Sequence, residues 1–290
     1  MRYSLVILTY DKLAVTRRCL SALLRDTAGD APWELVVVDN GSSDGTPRWV
    51  EESLEAEGAS RGVPVRLLRN AANIGCSAAR NQGIAAAAGE YVVFLDNDVA
   101  PRTRAWLSRL RAAIEAAPDI GLAGPKMVYP TPGAAIQCAG VGISRRGHVC
   151  FRGRGRPNDD PACAAPADVQ CLISACLMVR AELLRRHGGF DPIFHPVQFE
   201  DFDLCYRLRE QGWRAVYTPA AEMYHFESTT TQGSPGIRNA AVVVRNGLTF
   251  QKRWRHLFET EDGPSESDCR WRALPPLPPL DAIPDPLPLL

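Results

Sequence analysis

The chain has 290 residues, 46% of them hydrophobic and 23% charged, and its 33 basic and 33 acidic side chains cancel to a formal charge of +0. This is enough apolar chain for one large α/β domain with an appended lobe, and the charge balance excludes the basic footprint of a general nucleic-acid binder. No apolar run reaches the roughly 18 residues that a membrane span needs, and Met1-Arg2-Tyr3-Ser4 runs straight into a strand-like segment, so neither a transmembrane segment nor a signal peptide is expected.

Ser4 to Thr9 is almost continuously apolar, as a strand in a parallel sheet should be, and it stops at Tyr10-Asp11. Leu13, Leu20, Leu23 and Leu24 recur at helical spacing, with Arg17, Arg18 and Arg25 on the other face. Leu35 to Val38 predicts a second strand, which runs into Asp39-Asn40-Gly41-Ser42-Ser43-Asp44-Gly45. Thr46 before Pro47 predicts a helix with a hydroxyl N-cap and proline at its first position, fading at Gly58. Val65 to Leu68 is a short third strand. From Cys76 to Ala88 small residues dominate, which suits a helix packed close to a sheet and stopped by Gly89.

Tyr91 to Asp96 reads as a buried strand, yet it ends in Asp96-Asn97-Asp98. Two carboxylates so close repel each other, and each is costly to desolvate. A divalent cation held between them and a ligand's phosphates relieves both costs. The βαβαβαβ rhythm implies a parallel sheet with right-handed crossovers. Ligands bind such sheets at the carboxyl ends of the strands, where Asp39 and the Asp96/Asp98 pair converge.

Beyond Pro101 a helix is expected over 103–117 and a strand over 120–128. Residues 130–166 are rich in Gly, Pro and Arg (Gly153-Arg154-Gly155-Arg156-Pro157) and alternate with short strands such as 136–143, which reads as an irregular lobe. Residues 172–179 return to the core, and 181–187 form a short helix. Asp201 or Asp203 opens an amphipathic helix with Leu204 and Leu208 inward, and 214–217 and 222–225 are strand-like. Residues 229–236 are a candidate mobile loop, and 237–258 a helix rich in arginine and aromatics. The Leu-Pro repeats of 273–290 exclude regular helix and predict an extended or disordered tail. Nine irregularly spaced cysteines without a Cys-x-x-Cys pair point to reduced thiols, with a local Cys163–Cys171 bridge left open.

In chain order, Ile7-Leu8-Thr9-Tyr10, Val37-Val38-Asp39-Asn40-Gly41-Ser42-Ser43-Asp44-Gly45-Thr46, Asn73-Ile74-Gly75, Ala79-Arg80-Asn81-Gln82-Gly83 and Phe94-Leu95-Asp96-Asn97-Asp98 are followed by Gly189-Phe190-Asp191, Glu200-Asp201-Phe202-Asp203-Leu204, and His225 with Ser228. This ordered set resembles family 2 glycosyltransferases of the GT-A fold, notably the rhamnosyltransferase-like branch. The resemblance implies an α/β, Rossmann-like GT-A fold, with a mostly parallel central sheet flanked by helices and a smaller acceptor-side lobe. Residues 1–128 would be the nucleotide-binding half and 129–258 the acceptor-side half of one domain, with 259–290 as a tail outside it.

It further implies inverting, metal-dependent transfer of a sugar from a nucleotide-diphosphate sugar, a UDP- or dTDP-sugar, to an acceptor hydroxyl in glycan or polysaccharide biosynthesis. By resemblance, Thr9, Tyr10, Asp39, Asn73, Arg80, Asp96 and Asn97 serve the donor nucleotide. Asp98 and His225 ligate Mn²⁺ or Mg²⁺, and Asp201 is the general base, with Glu200 and Asp203 as alternatives. A cytoplasmic protein is expected, with contact to the inner membrane face left open. The competing readings are a sugar-nucleotide-binding or scaffold protein on the same fold, and a nucleotidyltransferase. The latter should carry a Gly-rich, Lys-bearing phosphate loop, which residues 7–18 lack.

Overall fold

The computed structural model of the chain describes residues 1–27, 29–30, 32–227, 240–272, 274, 276–285 and 287–290. The N-terminal apolar run is β1 (Tyr3–Thr9), followed by α1 (Leu13–Asp26) and β2 (Trp33–Asp39). Then come α2 (Thr46–Trp49) and α3 (Glu55–Ser60), joined by a π-helical turn, followed by β3 (Val65–Arg69), α4 (Cys76–Ala86) and β4 (Tyr91–Asp96). The chain continues through β5 (Val99–Pro101), α5 (Trp106–Glu115), β6 (Ile120–Val128), β7 (Ile136–Cys138), β8 (Val141–Ile143), β9 (Val149–Phe151) and β10 (Ala167–Val169). It closes with β11 (Cys176–Arg180), α6 (Ala181–His187), α7 (Glu200–Glu210), β12 (Arg214–His225) and α8 (Ala240–Phe258).

The sheet runs β10-β12-β6-β11-β4-β1-β2-β3, with β5 and β7 attached to β12 and β6. β3, β2, β1 and β4 are mutually parallel, and β6 is parallel to β12. β11 lies antiparallel between β4 and β6 and welds the two halves together. The register sets Thr9 beside Asp39 and Leu8 beside Asp96, so these strands end along one edge. α4 approaches that sheet closely because Gly83 faces the Val6 side chain with no Cβ between them.

Several boundaries differ from expectation. The hydroxyl of Thr46 does not cap its helix. Gly45 occupies that position, and Asp44 Oδ1 accepts from the Thr46 amide (3.1 Å) and hydroxyl (2.6 Å). Asp44 Oδ2 also accepts from the Leu13 amide (2.6 Å), so one carboxylate serves the starts of two helices. The helix then continues past Gly58 to Ser60. α5 begins at Trp106 and not at Thr103, whose hydroxyl is occupied by the Glu222 amide; Asp30 accepts from the first-turn amides of Leu107 and Ser108. The 136–143 segment breaks into β7 and β8 at Gly140, whose φ of +94° suits glycine. The two segments expected at 214–217 and 222–225 are one strand with a bulge after Thr218.

All nine cysteines are free, so the Cys163–Cys171 bridge is absent. The 229–236 loop and Ser228 lie outside the described residues. The described part of the tail holds one 3₁₀ turn (Leu280–Ala282) and is docked: Ile283 and Leu287 are buried against the main core. No helix among the described residues is long and apolar enough to cross a membrane.

Candidate active site

A cavity of about 370 Å³ opens at the carboxyl edge of β1 and β4. Tyr10, Asn73, Arg80, Asp96, Asn97, Asp98, Asp201 and His225 all line it, so segments distant in sequence share one space. Asp98 reaches it because β4 ends and the chain turns back into β5, which pairs with the end of β12 and sets His225 opposite Val99. His225 Nε2 lies 3.3 Å from Asp98 Oδ1, and its Nδ1 meets Gln137 Oε1 at 2.9 Å.

Burial pulls the His225 imidazole down, but the charge and hydrogen bond of Asp98 outweigh it, so the ring sits above its ordinary value. Ligand atoms of Asp96, Asp98 and His225 lie within 4.8 Å of one another, close to the span of donors around one small cation. The two carboxylates suit Mn²⁺ or Mg²⁺, and the added imidazole favours Mn²⁺ over the harder Mg²⁺. With Nδ1 donating to Gln137, the Nε2 lone pair can face the metal once a proton is released.

Arg80 stands across from this group, buried on the sheet-facing side of α4. Its Nη2 donates to Asp96 Oδ1 (2.8 Å) and its Nη1 to Glu200 Oε1 (2.9 Å), and the guanidinium lies 5.4 Å from the Phe190 ring centroid. One cation therefore ties the end of β4 to the start of α7. Burial, then the neighbouring Asp201, push the Glu200 carboxyl up to about 7, against the pull of Arg80.

The three acids of α7 have different surroundings. Asp203 is fully buried and bound by Arg207, Arg253 and the Trp254 indole, which is a packing role. Glu200 is ion-paired. Asp201 is half-buried on the cavity wall; its Oδ2 accepts from the Ser174 amide (3.1 Å) and its Oδ1 from the Phe202 amide (2.9 Å). Burial raises its carboxyl above the usual range despite these bonds.

The residues expected to serve the nucleotide divide. Asp39 is 1% exposed and does not line the cavity. Its Oδ1 accepts from the Thr9 hydroxyl (3.1 Å), and its Oδ2 from the amides of Gly41 (3.3 Å) and Ser42 (3.0 Å), so Thr9 and Asp39 shape the loop behind the rim. Asn40 and Asn73 join their side-chain amides at 2.9 Å and do line the cavity. Asn97 lines it too, and its amide donates to Thr16 Oγ1 (2.7 Å).

Sequence reasoning missed Gln137, Ser174 and Asn246. The Asn246 amide on α8 donates to the carbonyls of Phe194 (2.8 Å), Val197 (2.9 Å) and Gln198 (3.2 Å), bracing the loop before α7. It also missed Trp271, a cavity residue beyond the segment that carries the resemblance. No local pattern marks any of them, because each finds its partner through the fold.

A model described as Glycosyl transferase family 2 matches residues 4–187. An uncharacterized protein of Sinorhizobium fredii, y4gI, is 32% identical over 261 residues, covering 87% of this chain and 27% of its own. A pre-mycofactocin glycosyltransferase of Mycobacterium tuberculosis is 32% identical over 195 residues, covering 67% of this chain and 38% of its own. The chain thus spans well under half the length of these two relatives. An N-acetylglucosaminyl-diphospho-decaprenol L-rhamnosyltransferase of Mycobacterium tuberculosis is 31% identical over 265 residues, 81% of this chain and 80% of its own.

Among solved structures, GalNAc-T7 with UDP, GalNAc and Mn²⁺ superposes with a TM-score of 0.68 at 16% identity, over 89% of this chain and 49% of that one. A mannosyltransferase of Pyrobaculum calidifontis in complex with GDP-Man and Mn²⁺ gives 0.59 at 21% identity, over 91% and 66%. These likenesses establish the GT-A fold expected from the sequence.

Proposed function

The chain belongs to glycosyl transferase family 2, and from that premise we propose that it transfers a sugar, with inversion, from a nucleotide-diphosphate sugar to an acceptor hydroxyl in glycan biosynthesis. One observation carries the reading: the Asp96, Asp98 and His225 cluster shares a single cavity with Asp201, an acid with raised proton affinity. The match to an L-rhamnosyltransferase over most of both chains supports a sugar-transferring role, and a UDP- or dTDP-sugar is the donor proposed.

Asp98 and His225 would hold Mn²⁺ or Mg²⁺, with Asp96 beside them. When bound, the cation stabilises the negative charge that grows on the departing diphosphate. Asp201 accepts the proton of the acceptor hydroxyl as its oxygen bonds the anomeric carbon. The bond from that carbon to the diphosphate oxygen breaks, and the nucleoside diphosphate leaves with the electron pair. Attack and departure on opposite faces invert the anomeric centre. Ser174 holds the Asp201 carboxylate at the cavity wall, and Arg80 fixes Asp96 against the start of α7.

Isothermal titration with UDP and Mn²⁺ against the Asp98→Ala and Asp201→Asn variants tests this. Asp98→Ala should lose Mn²⁺-dependent binding. Asp201→Asn should keep it while transfer falls by roughly 10²–10⁴. Full activity in Asp201→Asn would remove the base from Asp201, and unaltered Mn²⁺-dependent binding in Asp98→Ala would end the metal assignment.

A further inference from the structure

The Gly- and Arg-rich lobe of 130–166 is not absorbed by the site above. It walls a second cavity of about 520 Å³. Five arginines line this space: Arg152, Arg154, Arg156, Arg270 and Arg272. Arg154 is neutralised by Glu227 (2.9 Å) and Arg156 by Asp160 (3.2 Å). Arg152 donates only to the main-chain carbonyls of Ala139 and Ala162, and Arg270 and Arg272 have no carboxylate partner among the described residues.

Two of the three acids on the same walls are paired with arginines elsewhere. Asp168 pairs with Arg214 (2.8 Å) and Asp262 with Arg145 (3.1 Å), whereas Asp268 accepts from the Ser265 hydroxyl (2.6 Å) and keeps its charge. Three guanidinium groups thus lack a carboxylate partner around one concavity, against the single unpaired carboxylate of Asp268, a donor set suited to phosphate oxygens.

This cavity adjoins the first. Val149, Phe151 and Trp271 line both, and the Arg154–Glu227 pair stands between them, with Arg154 on one side and Glu227 on the other. Trp271 packs on Arg154 with 4.0 Å from guanidinium to ring centroid and edge-on to Phe151 at 5.7 Å, giving the junction an aromatic wall.

We propose that the second cavity binds the phosphate or diphosphate group of the acceptor, so that an acceptor bearing that anion presents its hydroxyl to Asp201 in the first. The acceptor role rests on the proposed transfer; the anion site does not. It explains why the arginines come from both the lobe and the chain after Phe258: the tail completes the cavity that the lobe begins.

The test is calorimetric titration of the metal-free protein, in EDTA, with inorganic pyrophosphate, against an R270E/R272E variant. Both residues are exposed, so the fold does not depend on them; an unchanged melting temperature confirms this, and R152Q is a second variant. Wild-type protein should bind saturably, and R270E/R272E at least tenfold more weakly. Absence of saturable binding to the wild type, or equal affinity in the variants, overturns the proposal.

Farnesyl diphosphate and glucose 1-phosphate identify the source of the anion. A gain over pyrophosphate by the former assigns a lipid-linked acceptor, and by the latter a soluble sugar phosphate. UDP binding with Mn²⁺ is followed in parallel. Its loss with pyrophosphate binding intact would count against the transferase reading, whereas loss of pyrophosphate binding alone counts against the subsite.

Discussion

Among single residues, the sharpest feature is Glu200, a carboxyl at 3% exposure between a cation and a second acid. One oxygen is bonded to Arg80 and the other has no hydrogen-bond partner among the described residues. Its folded value of about 7 lies above the ~4.3 of a free glutamate. The folded chain therefore holds a proton that the unfolded chain has released between those values. By linkage, stability falls as pH rises through this window, and the loss is complete above about 7. Glu200→Gln should flatten that slope, narrowing the difference in unfolding free energy between pH 5 and pH 8 by roughly 1–3 kcal/mol. Urea denaturation at the two pH values reads this directly, and parallel slopes for the two proteins would refute it. At this scale the sequence was most legible where a residue is costly. Asp96 and Asp98 stand out because acids at the end of an oily strand demand compensation. Gln137 does not, since a glutamine in a short strand is unremarkable until His225 arrives beside it from 88 positions away.

At the scale of elements, the parallel half was readable because its strands are apolar throughout and its helices carry a stripe or small residues. The segment from β7 to β12 was less so. β7 and β8 read as one strand because the break at Gly140 is a single backbone conformation, and β12 read as two because its bulge, between Thr218 and Glu222, carries Pro219. The entry to α7 shows why this matters. Gln198 and Phe199 hold φ values of +83° and +73°, which side-chain-bearing residues rarely adopt, directly before the acids. Asn246 supports that strained entry from α8, and it is fully buried. Asn246→Ala would leave three inward carbonyls short of a donor, so stability should drop by about 1–3 kcal/mol. Transfer should fall further than UDP–Mn²⁺ affinity, since the loop leads into Asp201 and not into Asp98. Thermal melts with a kcat and KM comparison check this, and a variant with the parent's melting temperature and kcat would remove Asn246 from the bracing role.

For the whole molecule, the chain beyond Phe258 changes the account most. Its composition predicts an extended or disordered tail, but even a proline-rich chain, here with one 3₁₀ turn at Leu280–Ala282, still offers carbonyls and apolar side chains. Arg18, on the polar face expected of α1, donates to the carbonyls of Leu280, Ile283 and Pro284, while the Leu290 amide donates to the Arg102 carbonyl (2.7 Å). The Arg18 guanidinium lies 5.8 Å from the Phe226 ring centroid, and the Phe226 amide donates to the Asp98 carbonyl (3.0 Å). The tail is thus joined to the candidate metal site through two residues. Ending the chain at residue 278 removes the buried Ile283 and Leu287, worth about 1.5–3 kcal/mol each by area, and strips the carbonyl partners from Arg18, whose side chain is 6% exposed. The truncated protein should lose roughly 3–6 kcal/mol in urea denaturation and bind Mn²⁺ with UDP less tightly than the full chain. Ile283→Ala alone should account for about 2–4 kcal/mol of that loss. A disordered tail predicts the opposite, an unchanged denaturation midpoint for both variants, so the two measurements decide whether these last residues belong to the fold.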